Sequence, residues 1–156
     1  MTAQSEAMQT ASRIGEGPVR LAAFDFDGTS LDGNSPVMLV LHLAKLRMLN
    51  PTVLLRIGLW AAAYKLRLPQ SEAWVRGLVF RAFAGKSKAE VDAFLHDFYD
   101  ECVAPHVREQ ARQAMDAWHE QGVAVVCVSA TFEPIIERAM RDLPFDYQIS
   151  TRMKVN

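Results

Sequence analysis

The chain has 156 residues, half of them hydrophobic, which is typical of one soluble domain with a buried core. Its formal net charge of −1 argues against a protein that binds nucleic acid through bulk electrostatics, so we expect no nucleic-acid partner. Its two cysteines, Cys102 and Cys127, lack metal-ligand spacing and suit a reducing cytoplasm. We interpret Cys127 as a buried free thiol.

The N-terminal part of the chain divides into a tail and a strand. Residues 1–18 are small and polar, without the apolar core of a secretory signal, and we predict a mobile tail. Residues 19–24 form an apolar run that ends at Asp25. This pattern is typical of a parallel strand buried on both faces, and a loop over residues 28–35 should follow it.

A helical pattern occupies residues 37–120. Pro51 and Pro69 each mark a predicted helix start, because proline is favoured in the first turn. Ser87 is followed by Glu90 three residues later, which predicts a capping box at the start of another helix. The pattern indicates several helices in succession.

The C-terminal part returns to alternating strands and helices. After a helix from about residue 107 to 121, residues 123–128 form a second buried-strand pattern that ends at Ser129. A helix over residues 132–141 and a short strand over residues 147–150 follow. This order predicts an α/β fold, with a Rossmann-like parallel sheet and a helical insert after the first strand.

The segment 53–68 allows two interpretations. It is apolar but carries Arg56, Lys65 and Arg67, so it is too short and too charged to span a membrane. It fits a helix whose apolar face packs on its neighbours. It also fits a basic amphipathic helix, bearing Trp60, that lies on an anionic membrane surface.

The residues best suited to chemistry follow the first strand. Asp25 and Asp27 would lie at the carboxyl edge of a parallel sheet, where open α/β folds bind ligands. Two carboxylates this close repel each other unless a hard cation is bound, and Mg²⁺ is the simplest choice. Gly28 allows a sharp turn, after which the amides of Gly28 and Thr29 could receive phosphate oxygens. The alternative is a plain turn.

Two motifs resemble those of the haloacid dehalogenase superfamily. Residues 24–29, Phe-Asp-Phe-Asp-Gly-Thr, match its first motif, and residues 126–131, Val-Cys-Val-Ser-Ala-Thr, resemble its second. The resemblance implies a core formed by residues 19–35 and 121–156, with a helical cap at residues 36–120 between them. It also implies a Mg²⁺-dependent phosphomonoester hydrolase that acts on a small phosphorylated substrate.

The resemblance also implies roles for individual residues. Asp25 would be the nucleophile that forms an aspartyl-phosphate, and Asp27 would be the general acid and then the general base. The Asp25 carboxylate and the Asp27 backbone carbonyl would bind Mg²⁺. Ser129 would hydrogen-bond the phosphoryl group. The alternative for Ser129 is a helix N-cap, with Thr131 a rival for that position.

Two positions depart from the family's pattern, and the second of them bears on the substrate. Ser30 stands where the family commonly has a large aliphatic residue. Asn34 stands where phosphoserine phosphatases carry the glutamate that recognises the substrate amine, which argues against phosphoserine. Within subfamily IB, the run at residues 32–35 and the hydrophobic, basic cap look more like the phosphatidylglycerophosphate phosphatases. This branch implies a phospholipid phosphate as substrate and a location at the inner face of the membrane.

The family's lysine and Gly-Asp motifs do not occur before Asn156, and Lys154 is too near the third predicted strand to match that lysine. Asp142 and Asp146 are interpreted as turn residues. We therefore expect a truncated family member whose first strand has an open edge. This allows a second function, a non-catalytic binding module that self-associates through that edge, and a third, a membrane-surface module.

Overall fold

The computed structural model describes residues 20–65, 77 and 81–153, and of residues 60–65 it describes the backbone. The predicted tail over residues 1–18, the helix start at Pro69 and the position of Lys154 lie outside the described residues.

Three parallel strands form the sheet, in the order β1 (Leu21–Phe24), β2 (Ala124–Phe132) and β3 (Tyr147–Thr151). Phe24 lies opposite Cys127, so β1 and the middle of β2 are in register. Because parallel strands end at the same side of a sheet, the residues after β1 meet those near the end of β2. The predicted α/β fold with a helical insert after the first strand is confirmed.

Helices connect the strands. The predicted helix starts at Pro51 and after Ser87 are confirmed, and Ser87 with Glu90 forms the capping box. The Ser87 amide donates to Glu90 Oε2 at 2.8 Å, and the Glu90 amide donates to Ser87 Oγ at 3.3 Å. The helices are α1 (Ser35–Lys45), α2 (Pro51–Lys65), α3 (Lys88–Phe98), a π-helical turn (Tyr99–Val103), a 3-10 turn (Ala104–His106), α4 (Glu109–Glu120) and α5 (Glu133–Ala139).

The two faces of the sheet differ. Val125 and Cys127 are fully buried on the face that α4 and α5 cover. On the opposite face Leu21 is 57% exposed, Val128 45% and Ile149 64%. The chain moves from β1 to β2 and from β2 to β3 in the same direction across the sheet. Because crossover connections are right-handed, α4 and α5 lie on the same face of the sheet. The prediction that the first strand is buried on both faces is therefore wrong for the described residues, since one face of β1 is open.

The helical insert packs on the sheet domain through a shared core. Leu39 and Leu43 of α1 and Leu95 and Phe98 of α3 are almost fully buried in the same cluster as the side chains of α5. Burial of each such side chain contributes about 1.5–3 kcal/mol. The insert therefore holds its first helix firmly beside the ends of β1 and β2.

Several large apolar side chains are exposed on the described surface of the insert. Leu41 of α1 is 64% exposed, and Leu55 and Leu59 of α2 are 66% and 63% exposed. The side chains of Trp60 and Lys65, and the whole of Arg67, lie outside the described residues. In the part of the chain that the structure describes, no helix has the length and apolar character to cross a membrane.

Candidate active site

The loop after β1 folds back on itself. Phe26 is fully buried and fixes the loop to the core, so that Asp25 and Asp27 on either side of it face away from the core. Gly28 has a φ of +76°, and its amide donates to the carbonyl of Gly33 at 2.9 Å. L-amino acids with a side chain rarely adopt this φ, so the tight closure depends on glycine.

Asp25 is exposed immediately beyond β1. Its Oδ1 accepts a hydrogen bond of 2.7 Å from the Phe26 amide. The Ser30 hydroxyl donates to the Asp25 backbone carbonyl at 2.7 Å, which fixes the main chain and leaves the carboxylate free to meet a ligand. An exposed carboxylate bonded to one neutral donor keeps most of its oxygen lone pairs available, as a nucleophile requires.

The Asp27 carboxylate accepts more hydrogen bonds than that of Asp25. The Ser35 amide donates to its Oδ1 at 2.6 Å, and the Thr131 hydroxyl donates to its Oδ2 at 2.6 Å. The Ser35 hydroxyl also donates to Oδ2, at 3.2 Å. Asp27 thus joins three parts of the chain, namely the loop after β1, the first residue of α1 and the end of β2.

Ser129 lies within β2, two residues before Thr131. Its Oγ accepts a hydrogen bond of 3.2 Å from the Thr131 amide. The alternative interpretation of Ser129 or Thr131 as a helix N-cap is wrong, because α5 begins at Glu133 and its N-cap residue is Phe132. The helix begins later because the strand continues past the predicted end.

The Gly28 and Thr29 amides are already hydrogen-bonded. Gly28 donates to the Gly33 carbonyl, and Thr29 donates to the Phe26 carbonyl at 3.4 Å. Phosphate binding by these amides stays a prediction, and it requires the loop to release these bonds. Both residues are nevertheless exposed beside Asp27, at the same edge of the sheet as Ser129.

Ser30 and Asp32 fasten the loop to the segment before α4. The Arg108 amide donates to the Ser30 carbonyl at 2.9 Å, and the Asp32 amide donates to the His106 carbonyl at 2.8 Å. The Arg108 guanidinium also pairs with Asp32 at 2.8 Å. Ser30 is fully buried, and its hydroxyl satisfies the Asp25 carbonyl, which explains why a small polar residue fits where an aliphatic side chain is common.

The donor set suits a hard divalent cation. Among the described residues no group of three or more His, Cys, Asp or Glu side chains is placed to hold a metal ion. Mg²⁺ needs fewer protein ligands, because it keeps several waters and takes further oxygens from a phosphate. The Asp25 carboxylate is accessible, whereas both Asp27 oxygens already accept hydrogen bonds, so Asp27 would contribute its backbone carbonyl.

Cys127 lies beneath the two aspartates. It is fully buried, and burial, followed by the negative charges of Asp25 and Asp27, raises the pKa of its thiol to about 12. The thiol stays protonated at neutral pH and cannot act as a nucleophile there. The interpretation of Cys127 as a buried free thiol is confirmed.

Sequence reasoning missed Ser35 as a functional candidate and gave Thr131 a different role. Both hydroxyls are buried, at 0% and 2% exposure, and both bond the Asp27 carboxylate. A small hydroxyl residue at a helix start and another at a strand end are common in any α/β protein. The sequence therefore carried no signal that joined them across 96 positions.

Comparison with known proteins identifies the family of the chain. The sequence model of the family described as haloacid dehalogenase-like hydrolases matches residues 22–156. No curated protein matches the chain.

Three solved structures are similar in fold. A protein of unknown function from Bordetella pertussis Tohama I has a TM-score of 0.73 at 21% identity, covering 89% of this chain and 63% of that one. A phosphoserine phosphatase solved as a phospho-aspartyl intermediate analogue has a TM-score of 0.57 at 15% identity, with coverages of 90% and 59%. A HAD-family hydrolase from Salmonella enterica serovar Typhi has a TM-score of 0.59 at 14% identity, with coverages of 100% and 52%. The chain thus spans between half and two thirds of the length of these structures.

Proposed function

The chain belongs to the haloacid dehalogenase-like hydrolase family, and from this we propose that it hydrolyses phosphomonoesters through an aspartyl-phosphate on Asp25. The observation that carries the proposal is the contrast between Asp25 and Asp27. Asp25 is exposed with one amide donor, as a nucleophile needs, and Asp27 is fixed by neutral donors, as an acid–base group needs.

The proposed reaction has two steps. An Asp25 oxygen attacks phosphorus, the bond to the ester oxygen breaks, and Asp27 gives its proton to that leaving oxygen. Asp27 then removes a proton from a water molecule, whose oxygen attacks the phosphorus of the aspartyl-phosphate. Phosphate leaves, and the Asp25 carboxylate is restored.

Other groups of the same edge would assist. Mg²⁺ bound to the Asp25 carboxylate and the Asp27 carbonyl would neutralise charge between the aspartates and the phosphoryl oxygens. Ser129 is proposed to donate its hydroxyl to the phosphoryl group, together with the amides of Gly28 and Thr29 once these are released from the loop. In support, a protein with a similar fold, phosphoserine phosphatase, was solved as an analogue of a phospho-aspartyl intermediate.

The substrate is proposed to lack an ammonium group beside its phosphate. Asn34 is the N-cap of α1, and its side-chain oxygen accepts a hydrogen bond of 3.1 Å from the Val37 amide. A neutral amide committed to a helix cap offers no charge to pair with an amine. This supports the phosphatidylglycerophosphate phosphatase side of subfamily IB over phosphoserine.

The test is hydrolysis of 4-nitrophenyl phosphate with Mg²⁺ by the wild-type chain and by Asp25→Asn. We expect Mg²⁺-dependent turnover that the substitution reduces to background. The matched control is Asp32→Asn, in the same loop but 74% exposed and paired with Arg108, which should keep the activity. A folded wild-type chain without turnover, or turnover that Asp25→Asn leaves intact, contradicts the proposal.

A second candidate function, contact with an anionic membrane surface, is favoured by the charge and exposure of the insert. Residues 33–71 contain no Asp or Glu but five basic residues, within a chain whose net charge is −1. Leu41, Leu55 and Leu59 are exposed on the same segment. Apolar side chains flanked by cations suit the interface of an anionic bilayer. Such contact would place the protein peripherally at the inner face of a membrane and favour a phospholipid phosphate as substrate.

Vesicle sedimentation tests this second function. We expect binding to vesicles of phosphatidylcholine with phosphatidylglycerol, weak binding to phosphatidylcholine alone, and loss of binding in the double variant Arg56→Ala with Leu59→Ser. Ile149→Ser removes an equally exposed apolar side chain from the sheet face and should bind like the wild type. Equal binding by the double variant would rule the proposal out.

A third candidate, self-association, is favoured by the sheet face that exposes Leu21 and Ile149 and by β1, which is an edge strand among the described residues. Backbone groups on a free strand edge can pair with another chain. Sedimentation equilibrium of Ile149→Ser and Leu21→Ser against the wild type would test it, because an association through this face should weaken in both variants. Association without hydrolysis would support a binding module instead of an enzyme.

A further inference from the structure

We infer that Ser35 and Thr131 are positioning residues for Asp27, and that they tie its acid–base function to the seating of α1 against the end of β2. The inference rests on the proposed hydrolysis. It adds two residues to the proposed active site, Ser35 at the start of α1 and Thr131 near the end of β2. Its basis is one cluster of hydrogen bonds that joins the side chains of Asp27, Ser35 and Thr131.

Both carboxylate oxygens of Asp27 are hydrogen-bonded in this cluster. The Ser35 and Thr131 hydroxyl oxygens lie 3.1 Å apart, and both reach Asp27 Oδ2, at 3.2 and 2.6 Å. The Ser35 amide holds the other oxygen at 2.6 Å. With three donors on its two oxygens the carboxylate cannot rotate without breaking at least one bond. Bonds to a charged acceptor are about twice as strong as neutral ones.

The position of Ser35 gives the cluster a second property. Ser35 is the first residue of α1, and its amide is one of those at the helix start that have no acceptor within the helix. The helix dipole favours a negative charge at this point. Leu39 and Leu43 anchor the same helix in the core, so a shift of α1 would carry the Ser35 donors away from Asp27.

The chemical type of the donors matters as much as their positions. A lysine or arginine at this distance would add a positive charge beside the carboxyl, which Ser35 and Thr131 do not. Hydroxyl groups both donate and accept. Ser35 and Thr131 therefore orient the Asp27 carboxyl through neutral groups, which also lie within hydrogen-bond distance of each other.

The kinetic test uses two substrates that differ in their need for an acid. The 4-nitrophenolate group leaves without a proton, whereas the alkoxide of glycerol 2-phosphate needs one. For Thr131→Val, which keeps the side-chain shape, we expect kcat for glycerol 2-phosphate to fall about 10- to 100-fold, the value of a hydrogen bond to a charged group. The rate with 4-nitrophenyl phosphate should fall only slightly.

Two matched variants complete the kinetic test. Thr131→Ser restores a hydroxyl and should recover most of the lost rate, and Thr52→Val makes the same chemical change on the exposed part of α2 and should do nothing. A purely structural role for Thr131 predicts an equal loss with both substrates and no rescue by serine. That outcome would overturn the inference while leaving the proposed hydrolysis intact.

A spectroscopic measurement separates this inference from the proposed function. The Ser35 amide, 2.6 Å from a carboxylate oxygen, should give a strongly downfield proton resonance in the folded chain whether or not it turns over substrate. We expect Thr131→Val to move this resonance upfield and Thr52→Val to leave it. A resonance that Thr131→Val leaves in place shows that Thr131 does not orient Asp27. A shifted resonance in a chain without turnover contradicts the hydrolysis alone.

Discussion

Two regions of the molecule hold carboxylates in different ways. At the sheet edge, Asp27 is bonded by an amide and two hydroxyls. At the helix junction, defined by Tyr99, Asp100, Arg138 and Asp142, the π-helical turn is tied to α5 and the residues after it. The Arg138 guanidinium donates two hydrogen bonds, of 2.8 and 2.5 Å, to the Asp100 carboxylate there.

The difference lies in the charge of the donors. The Arg138 hydrogen bonds hold the pKa of Asp100 below its ordinary value, so this carboxylate stays ionised and serves only to connect two elements. The neutral donors around Asp27 fix its direction without supplying a positive charge. Asp100 is thus paired with a cation, whereas the candidate acid–base group is bonded by neutral donors.

The largest expected effect comes from Asp27→Asn at the sheet edge. An asparagine can still accept from the Ser35 amide and donate to the Thr131 hydroxyl, so the fold should survive while proton transfer is lost. We expect kcat for an alkyl phosphate to fall about 10²- to 10⁴-fold with an unchanged melting temperature. A large loss of thermal stability would mean that Asp27 is mainly structural, like Asp100.

The next effect comes from Gly33→Ala, which disturbs the loop that carries both aspartates. Gly33 has a φ of +148°, and an added Cβ would lie 2.5 Å from the terminal methyl group of Met38. We expect a loss of about 1–3 kcal/mol in the free energy of unfolding, measured by urea denaturation. Gly58→Ala is the control, since nothing lies within 4 Å of its added Cβ and alanine favours a helix.

A smaller effect is expected from Tyr99→Phe at the helix junction. The Tyr99 ring is 1% exposed, and its hydroxyl donates to Asp142 at 2.7 Å. Burial, followed by this bond, raises the pKa of the phenol far above its ordinary value, so it remains a donor throughout the usable pH range. We expect a loss of about 1 kcal/mol in unfolding free energy and no change in turnover. A loss of turnover would show that the two regions are coupled.

The smallest effect is expected from Asp100→Asn, and it should depend on pH. Because the folded-state pKa of Asp100 is lowered, its contribution to stability is present above the unfolded-state pKa and is lost as the pH falls through the folded-state value. The melting temperature of the variant should lie slightly below that of the wild type at pH 7, and the two should converge in acid. A difference that persists at low pH would attribute the effect to packing.

The sequence by itself determined the element order, the parallel α/β class and the position of the aspartates after β1. These follow from local patterns, because an apolar run that ends in Asp-Phe-Asp-Gly predicts a strand followed by a turn. The capping box at Ser87 was equally local. Local signals also failed where a neighbour decides the outcome, as at Leu21, whose exposure depends on which side of the sheet the crossovers take.

Only the tertiary structure decided how Asp27 is held. Ser35 and Thr131 are distant in sequence and ordinary in their local context, and they meet because β1 pairs with β2 and because α1 starts beside the end of that pair. The same pairing buries Cys127 beneath the aspartates. A sequence specifies such contacts through the packing of many side chains at once, which no short pattern records.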